Sequence, residues 1–378
     1  MMGKLINNKT LQKILILTSE FPPQPGGIGN HAFHLAKGLQ GNGYEVVLVC
    51  DRRSETGEEE KEFDEGLKFQ VVRIARRKLI FFSYLDRIRK AFALGKEVDI
   101  VLASGKFSLW MGAFLSLFLK KRFIAIVHGS EIRLPNPILR KLTGFSLKRY
   151  GAVIAVSNYT KSLLAHLRLK NIHVIPNGFE MEVPEVCSVK KDPMPILITV
   201  GNVTQRKGQQ NVIGALPVLL KKYPDLEYHI VGIPTEKTKL EKLALGLGVE
   251  KSVLFYGKVD EESKQELLLQ ADVFVMLSEK TKRGDVEGFG IAILEANALG
   301  VPGIGARDCG IEDAIKDGVS GRLVNNKSPM ELEEALTEIL GNYQSYSQDA
   351  KDWAEGFRWE RVILRYLEAL EGRFTTEA

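Results

Sequence analysis

The chain of 378 residues has few cysteines and no paired ones. Cys50, Cys187 and Cys309 stand far apart without C-x-x-C spacing, which argues against a disulfide framework or a zinc cage and suits a reducing cytoplasm. Long apolar runs are also missing. The longest, Leu109 to Leu119, is about half of what a bilayer-spanning helix needs and reads as a buried helix. The short apolar run in MMGKLINNKTLQKILILTSE is too brief for a signal-peptide core and reads as a first strand. No D-x-D closes a strand. The nearest acidic spacing, Glu97-Val98-Asp99, precedes its strand and points away from the edge where α/β sheets hold ligands, so no metal site is expected. No low-complexity tract and no nucleic-acid-binding signature is found, so neither extended disorder nor a nucleic-acid partner is expected.

What is present is the composition of a compact protein, 44% hydrophobic and 26% charged, with length enough for two ordinary domains. Apolar runs at Ile14–Thr18, Glu45–Cys50, Ile100–Ala103, Phe123–Val127 and Val153–Val156 alternate with helix-length segments such as Ile28–Gln40, the punctuation of a parallel α/β domain. The alternation stops at Ile175-Pro176-Asn177-Gly178. A polar stretch through Lys190, Lys191, Pro193 and Pro195 reads as a linker, and Ile196–Val200 restarts the pattern. Further strands are expected at Glu227–Val231, Val253–Tyr256, Val273–Leu277, Val301–Ile304 and Gly321–Val324. The fold class is therefore α/β, with two Rossmann-like doubly wound parallel sheets facing across a cleft that holds the site: residues 1–180, then 181–350. Trp353 to Leu370 has helical apolar spacing and reads as one closing amphipathic helix, within a segment 351–378 expected to pack back on the first domain.

Positive charge is concentrated between Lys68 and Lys96, where nine Lys or Arg face one acid, Asp86, around Leu79, Ile80, Phe81, Phe82 and Tyr84. The segment 68–96 could touch anionic lipid on the inner face of the plasma membrane or a charged acceptor, or be a solvated helix face.

The chemistry concentrates in Glu287-Gly288-Phe289-Gly290-Ile291-Ala292-Ile293-Leu294-Glu295, which follows a strand and a polar loop and leads into a helix. The two glycines let backbone come close to a ligand, and the helix start offers free N–H groups and a positive dipole end for phosphate. Eight helical residues would separate the two glutamates by about 12 Å. Glycosidase carboxylate pairs stand about 5 to 10 Å apart across one bond. Glu287 and Glu295 fit better as two grips on one elongated ligand, one accepting hydrogen bonds from sugar hydroxyls and the other from ribose hydroxyls.

At these residues the sequence resembles the GT-B-fold retaining glycosyltransferases, in particular glycosyltransferase family 4, whose E-x7-E motif Glu287 and Glu295 match. The resemblance extends to Pro22-Pro23-Gln24-Pro25-Gly26-Gly27-Ile28-Gly29, His128-Gly129, Ser157-Asn158, Pro176-Asn177-Gly178, Gly201 through Lys207-Gly208, and Gly257-Lys258-Val259. It implies transfer of a hexose, mannose, glucose or a related sugar, from a UDP- or GDP-sugar to a glycan or lipid-linked hydroxyl in cell-envelope or surface-polysaccharide synthesis, with no cofactor beyond the sugar nucleotide. Glu287, His128 and Lys207 would serve catalysis. Lys207 neutralises the leaving diphosphate, His128 touches the donor sugar, and Gly27, Asn202, Arg206, Lys258, Val259, Gly288, Phe289, Gly290, Ile291 and Glu295 complete the donor site. Asn202 departs from the pattern, since the family places an arginine there. Either Arg206 reaches in or it is a surface residue. His31 and His34 read as packing or surface residues. A sugar-nucleotide epimerase, a phosphorylase and a degenerate non-catalytic subunit remain as alternatives on the same fold.

Overall fold

The computed structural model describes residues 12–24, 26–75, 79–183, 195–282 and 284–373. Pro25, Arg76, Arg77, Lys78, Cys187 and the expected linker residues Lys190, Lys191 and Pro193 lie outside the described residues. The chain divides into two compact units, Met1–Val156 with Leu163–Ile175 and Ile363–Ala378, and Ser157–Ser162 with Pro176–Val362.

The first unit is built from β1 (Lys13–Leu17), α1 (Gly27–Gly41), β2 (Glu45–Asp51), α2 (Glu58–Glu65), β3 (Gln70–Ile74), α3 (Ile80–Lys96), β4 (Ile100–Ser104), α4 (Lys106–Leu115), β5 (Arg122–Val127), α5 (Pro137–Leu147), β6 (Ala152–Ala155) and, after the short α6 (Asn158–Leu163) of the second unit, β7 (Ile172–Val174). All seven strands run parallel in the order β3-β2-β1-β4-β5-β6-β7. Runs such as IVLAS in β4 are buried along their whole length, as strands covered on both faces must be. Strand order reverses between β1 and β4. Right-handed crossovers therefore place α1 and α2 on one face and α3, α4 and α5 on the other.

The second unit holds β8 (Ile196–Val200), α7 (Gln209–Lys222), β9 (Glu227–Val231), α8 (Lys237–Leu247), β10 (Val253–Gly257), α9 (Glu261–Gln270), β11 (Val273–Met276), α10 (Ile291–Ala298), β12 (Gly303–Ala306), β13 (Gly321–Val324), α11 (Pro329–Gly341) and α12 (Tyr343–Glu355). Its six parallel strands lie in the order β10-β9-β8-β11-β12-β13, reversing between β8 and β11. Both units are thus doubly wound parallel α/β folds.

Two expectations need correction. The closing segment is not one helix: α12 ends at Glu355 and α13 (Trp359–Glu371) starts anew. Backbone from the segment after Asn177 causes the break, with Phe179 N donating to Phe357 O at 3.1 Å and Trp359 N to Phe179 O at 3.2 Å. From Ile363 onward α13 belongs to the first unit. The apolar run Leu109–Leu119 is not wholly buried either, because Phe114, Leu117 and Phe118 stand exposed at the end of α4. Two cations of the basic run 68–96 are paired with acids. Arg73 pairs with Asp64 at 2.8 Å, and the buried Arg87 pairs with Asp51. Among the described residues no helix is long and apolar enough to cross a membrane.

Candidate functional site

In the second unit the reversal between β8 and β11 parts the loops that follow those strands, and the resulting crevice at the carboxyl edge is where doubly wound sheets hold ligands. The loop after β8 runs from Gly201 to Gly208 and turns through Gln205–Lys207. Gly208 sits at φ +80° with its Cα so close to the end of β11 that an added Cβ would lie 1.8 Å from the Leu277 carbonyl oxygen. The two loops are stitched together by Glu279 N donating to Arg206 O at 3.1 Å and Gln205 Nε2 to Glu279 Oε1 at 2.7 Å.

This close approach delivers Lys207 and Arg206 to Glu287. Lys207 Nζ lies 2.9 Å from Glu287 Oε2, and Arg206 Nη1 binds the same oxygen. Burial alone would raise the Glu287 carboxyl, but the Lys207 and then the Arg206 charges outweigh it and hold the group below the ordinary carboxylate range. Arg206 therefore faces Glu287. Asn202 is exposed, and its backbone oxygen accepts from Gln209 Nε2 at 3.3 Å.

Beyond Glu287, Gly288 and the buried Phe289 lead to Gly290, which caps α10 in the left-handed region at φ +104°. Ile291 opens the helix, its backbone N–H among those left without an intrahelical acceptor. Glu295 lies one turn on, where Lys264 of α9 donates to its Oε2 at 3.2 Å. Each motif glutamate thus has its own cations, and the two share none. Lys264 carries no motif and was not expected. Lys258 and Val259 follow β10, three strand spacings or about 14 Å along the sheet from β11. Lys258 is exposed, while Val259 packs against the core.

In the first unit the corresponding reversal lies between β1 and β4. Gly27 begins α1, and a Cβ there would meet nothing within 4 Å, whereas at Gly29 it would lie 3.0 Å from the Glu20–Phe21 backbone. The first glycine leaves backbone open, and the second is required by packing. His128 follows β5 and binds Ser104 Oγ through Nε2 at 2.9 Å. Burial pushes its imidazole down to about 4, so it is neutral at ordinary pH. Its backbone N–H donates to the Glu131 carboxylate at 3.2 Å, and burial raises that carboxyl to about 7. The His31 ring packs edge-on against His128 at 5.0 Å, and its Nε2 bonds the Tyr366 hydroxyl at 2.9 Å. His31 is buried packing, as expected. Ser104 and Glu131 carried no signal in the sequence, and Tyr366 was visible only as part of the apolar spacing of the closing helix.

Residues 25–183 match the family described as Glycosyltransferase Family 4, and residues 187–356 match the family described as Glycosyl transferases group 1. The chain is a group 1 glycosyltransferase. It is 26% identical over 394 residues to the GDP-mannose-dependent alpha-(1-6)-phosphatidylinositol monomannoside mannosyltransferase of Mycolicibacterium smegmatis, covering 95% of this chain and 98% of that one. The structure of Anabaena HepE in complex with UDP and glucose matches with a TM-score of 0.77 at 20% identity, covering 96% of this chain and 100% of that one. Sucrose-phosphate synthase from Thermosynechococcus elongatus matches with a TM-score of 0.79 at 18% identity, over 96% and 98% of the two chains. These two likenesses establish the GT-B fold. In this glycosyltransferase the E-x7-E motif spans a loop and a helix: Glu287 faces the cations of the β8 loop, and Glu295 faces α9.

Proposed function

We propose that this glycosyltransferase moves a hexose, with mannose the first candidate, from a nucleoside-diphosphate sugar to the hydroxyl of a glycan or lipid-linked acceptor, with retention at the anomeric carbon and without a metal ion. The observation that carries this reading is the cluster of Arg206, Lys207 and Glu287 beside the start of α10 at the switch point of the second sheet. Two cations and a helix N-terminus converge where a diphosphate would leave, so the charge that grows on the leaving group has fixed partners without a metal. The acceptor hydroxyl attacks the anomeric carbon on the face from which the diphosphate departs. Its C–O bond forms as the sugar–phosphate bond breaks, and its proton passes to the departing phosphate oxygen.

Glu287 positions the sugar. Its Oε1 accepts a sugar hydroxyl while Oε2 keeps the two cations aligned. Glu295, held by Lys264, accepts from the ribose hydroxyls. Gly288, Phe289, Gly290 and Ile291 bring backbone to the diphosphate, and Lys258 and Val259 lie toward the base. Asn202 leaves the phosphate to Arg206 and Lys207. His128, neutral and engaged with Ser104 through Nε2, offers Nδ1 to the donor sugar. The mannose reading rests on the relative's dependence on GDP-mannose, and the lipid-linked acceptor on the phosphatidylinositol monomannoside in that relative's name; a cytoplasmic setting and a role in the cell envelope belong to the same proposal.

The test is incubation of the chain with GDP-mannose, UDP-glucose and ADP-glucose, with EDTA present, and NMR analysis of the product's anomeric configuration. An α-linked product formed from an α-configured donor is expected. An inverted product, a product formed only with added divalent cation, or epimerised donor without acceptor would overturn the respective part of the reading. Failure to bind any nucleoside diphosphate in calorimetry would leave a non-catalytic subunit.

A further inference from the structure

The exposed apolar side chains of the first unit do not scatter. On α5, Ile138, Leu142 and Phe145 form an outward stripe at helical spacing, and Ile138 and Phe145 are 74% and 76% exposed. At the end of α4 stand Phe114, Leu117 and Phe118, the last 60% exposed and edge-on to Phe114 and to Phe92 of α3. Trp110 Nε1 donates to Thr143 Oγ1 at 2.9 Å and Tyr150 OH to Leu109 O at 2.7 Å, so both helices are pinned and present one fixed surface. Single exposed apolar residues need no explanation, but several on two helices packed against each other do.

The charge around this surface is predominantly positive, with Glu97 and Asp99 the exposed acids at the amino edge of the sheet. From residue 79 to 150 there are thirteen Lys or Arg and four acids, and one of the four, Glu131, is buried. Lys120, Lys121 and Arg149 line a concavity of about 300 Å³ together with Leu117 and Phe118. A second concavity of about 550 Å³ lies across the turn after α5, lined by Lys148, Arg168 and Lys170 among others. Arg149 Nε is held by Ser116 Oγ at 3.3 Å. The helices run antiparallel to the strands, so their carboxyl ends lie at the amino edge of the sheet, opposite the edge that carries Gly27 and His128.

We propose that the α4–α5 end of the first unit docks on an anionic phospholipid surface, with Phe118, Leu117 and Phe145 entering the headgroup boundary and Lys120, Lys121 and Arg149 holding lipid phosphates. Apolar tips projecting between fixed cations match a surface that is negative outside and hydrocarbon just beneath, a combination that a rigid polyanion or an acidic protein does not offer. The proposal goes beyond the transfer reading and does not depend on it. It also moves the contact away from the segment 68–96, where Arg73 and Arg87 are taken up by Asp64 and Asp51.

The test is cosedimentation of the full chain, without donor or acceptor, with vesicles of phosphatidylcholine alone or containing phosphatidylglycerol. Binding to the anionic vesicles alone is expected, falling steeply as salt is raised. Lys120→Gln with Lys121→Gln and Arg149→Gln should weaken it by about a hundredfold, since each cation near an anionic leaflet contributes about a factor of five. Phe118→Ser with Phe145→Ser should weaken it by about tenfold with the charge unchanged. Melting temperatures and nucleoside-diphosphate binding of these variants should match the parent, which separates this outcome from a failure of the transfer reading. The proposal is overturned if the parent ignores anionic vesicles, if binding is indifferent to salt, or if Arg89→Glu with Lys90→Glu on α3 abolishes binding that the α4–α5 variants retain.

Discussion

Lys207 Nζ lies 2.9 Å from Glu287 Oε2, joining the loop after β8 to the loop after β11 where the second sheet reverses its order. The pair is mostly shielded from water, with side-chain exposures of 14% and 11%, so its charges act in a medium of low effective permittivity. A diphosphate arriving at this cluster competes with Glu287 for the same cations.

Lys207→Ala should therefore lower kcat/KM for the preferred donor by about 10² to 10³, the usual loss for removing one fixed partner of a charge that grows in the transition state. Steady-state kinetics with the donor varied gives the number. A variant within about threefold of the parent would remove Lys207 from the leaving-group role.

Glu287→Gln separates two jobs of one side chain. Removing the carboxylate charge frees Arg206 and Lys207 from their counter-ion, so the nucleoside diphosphate should bind as tightly as to the parent or more tightly. Transfer should still fall, because the sugar loses its charged acceptor. Calorimetry and kinetics on the same preparation decide it, and weaker diphosphate binding with unchanged transfer would contradict the arrangement.

Gly27→Ala and Gly29→Ala should fail in different ways. A Cβ at residue 29 presses on the Glu20–Phe21 backbone at 3.0 Å, so that variant should melt at a lower temperature. A Cβ at residue 27 meets no protein atom within 4 Å, so that variant should melt like the parent and lose ligand affinity. Equal melting points for both variants would contradict the packing argument.

Glu131 makes stability depend on pH in an uncommon direction. Burial holds its carboxyl near 7 against an ordinary 4.5, so between those values the folded state keeps a proton that the unfolded chain releases. Stability from this group is full below about 4.5 and is lost as pH rises through 7. His128, pushed down to about 4, works in the opposite sense from 4 to 6.5, its contribution rising with pH. Glu131→Gln leaves His128 in place, so its stability relative to the parent should rise by about 1 to 3 kcal/mol between pH 5 and pH 7.5. Denaturant midpoints at the two pH values measure it, and a constant difference would refute the raised carboxyl.

How far the sequence could be read depended on the range of the signal. Buried strands such as IVLAS and VFVM announce themselves by unbroken apolar runs, and the E-x7-E spacing marks Glu287 and Glu295 as candidates. β3, QVVRI, escaped because a strand with four residues not fully buried and an arginine inside shows neither a run nor a clean alternation. Lys264 escaped for another reason: nothing in the pattern EESKQELLLQ says which polar residue of α9 turns toward α10. Closing amphipathic spacing across Trp353–Leu370 hid a break, since periodicity survives a short interruption imposed by the distant Phe179.

Tyr366 was the residue least visible to sequence reasoning, because its meaning depends on His31, far away in the chain. The hydroxyl meets His31 Nε2 at 2.9 Å inside the first unit, where burial holds the imidazole well below 6.5 and the phenol above 10. Both groups are thus neutral across the ordinary range. Tyr366→Phe removes one partner of a buried hydrogen bond and should cost about 1 to 2 kcal/mol. Because neither partner changes charge in the folded protein between about pH 7 and pH 9, the cost should be the same at both ends of that range. Denaturant unfolding of parent and variant at the two pH values checks this. A loss that appears only at the lower pH would mean that His31 is protonated there and that its neutral pairing with Tyr366 is wrong.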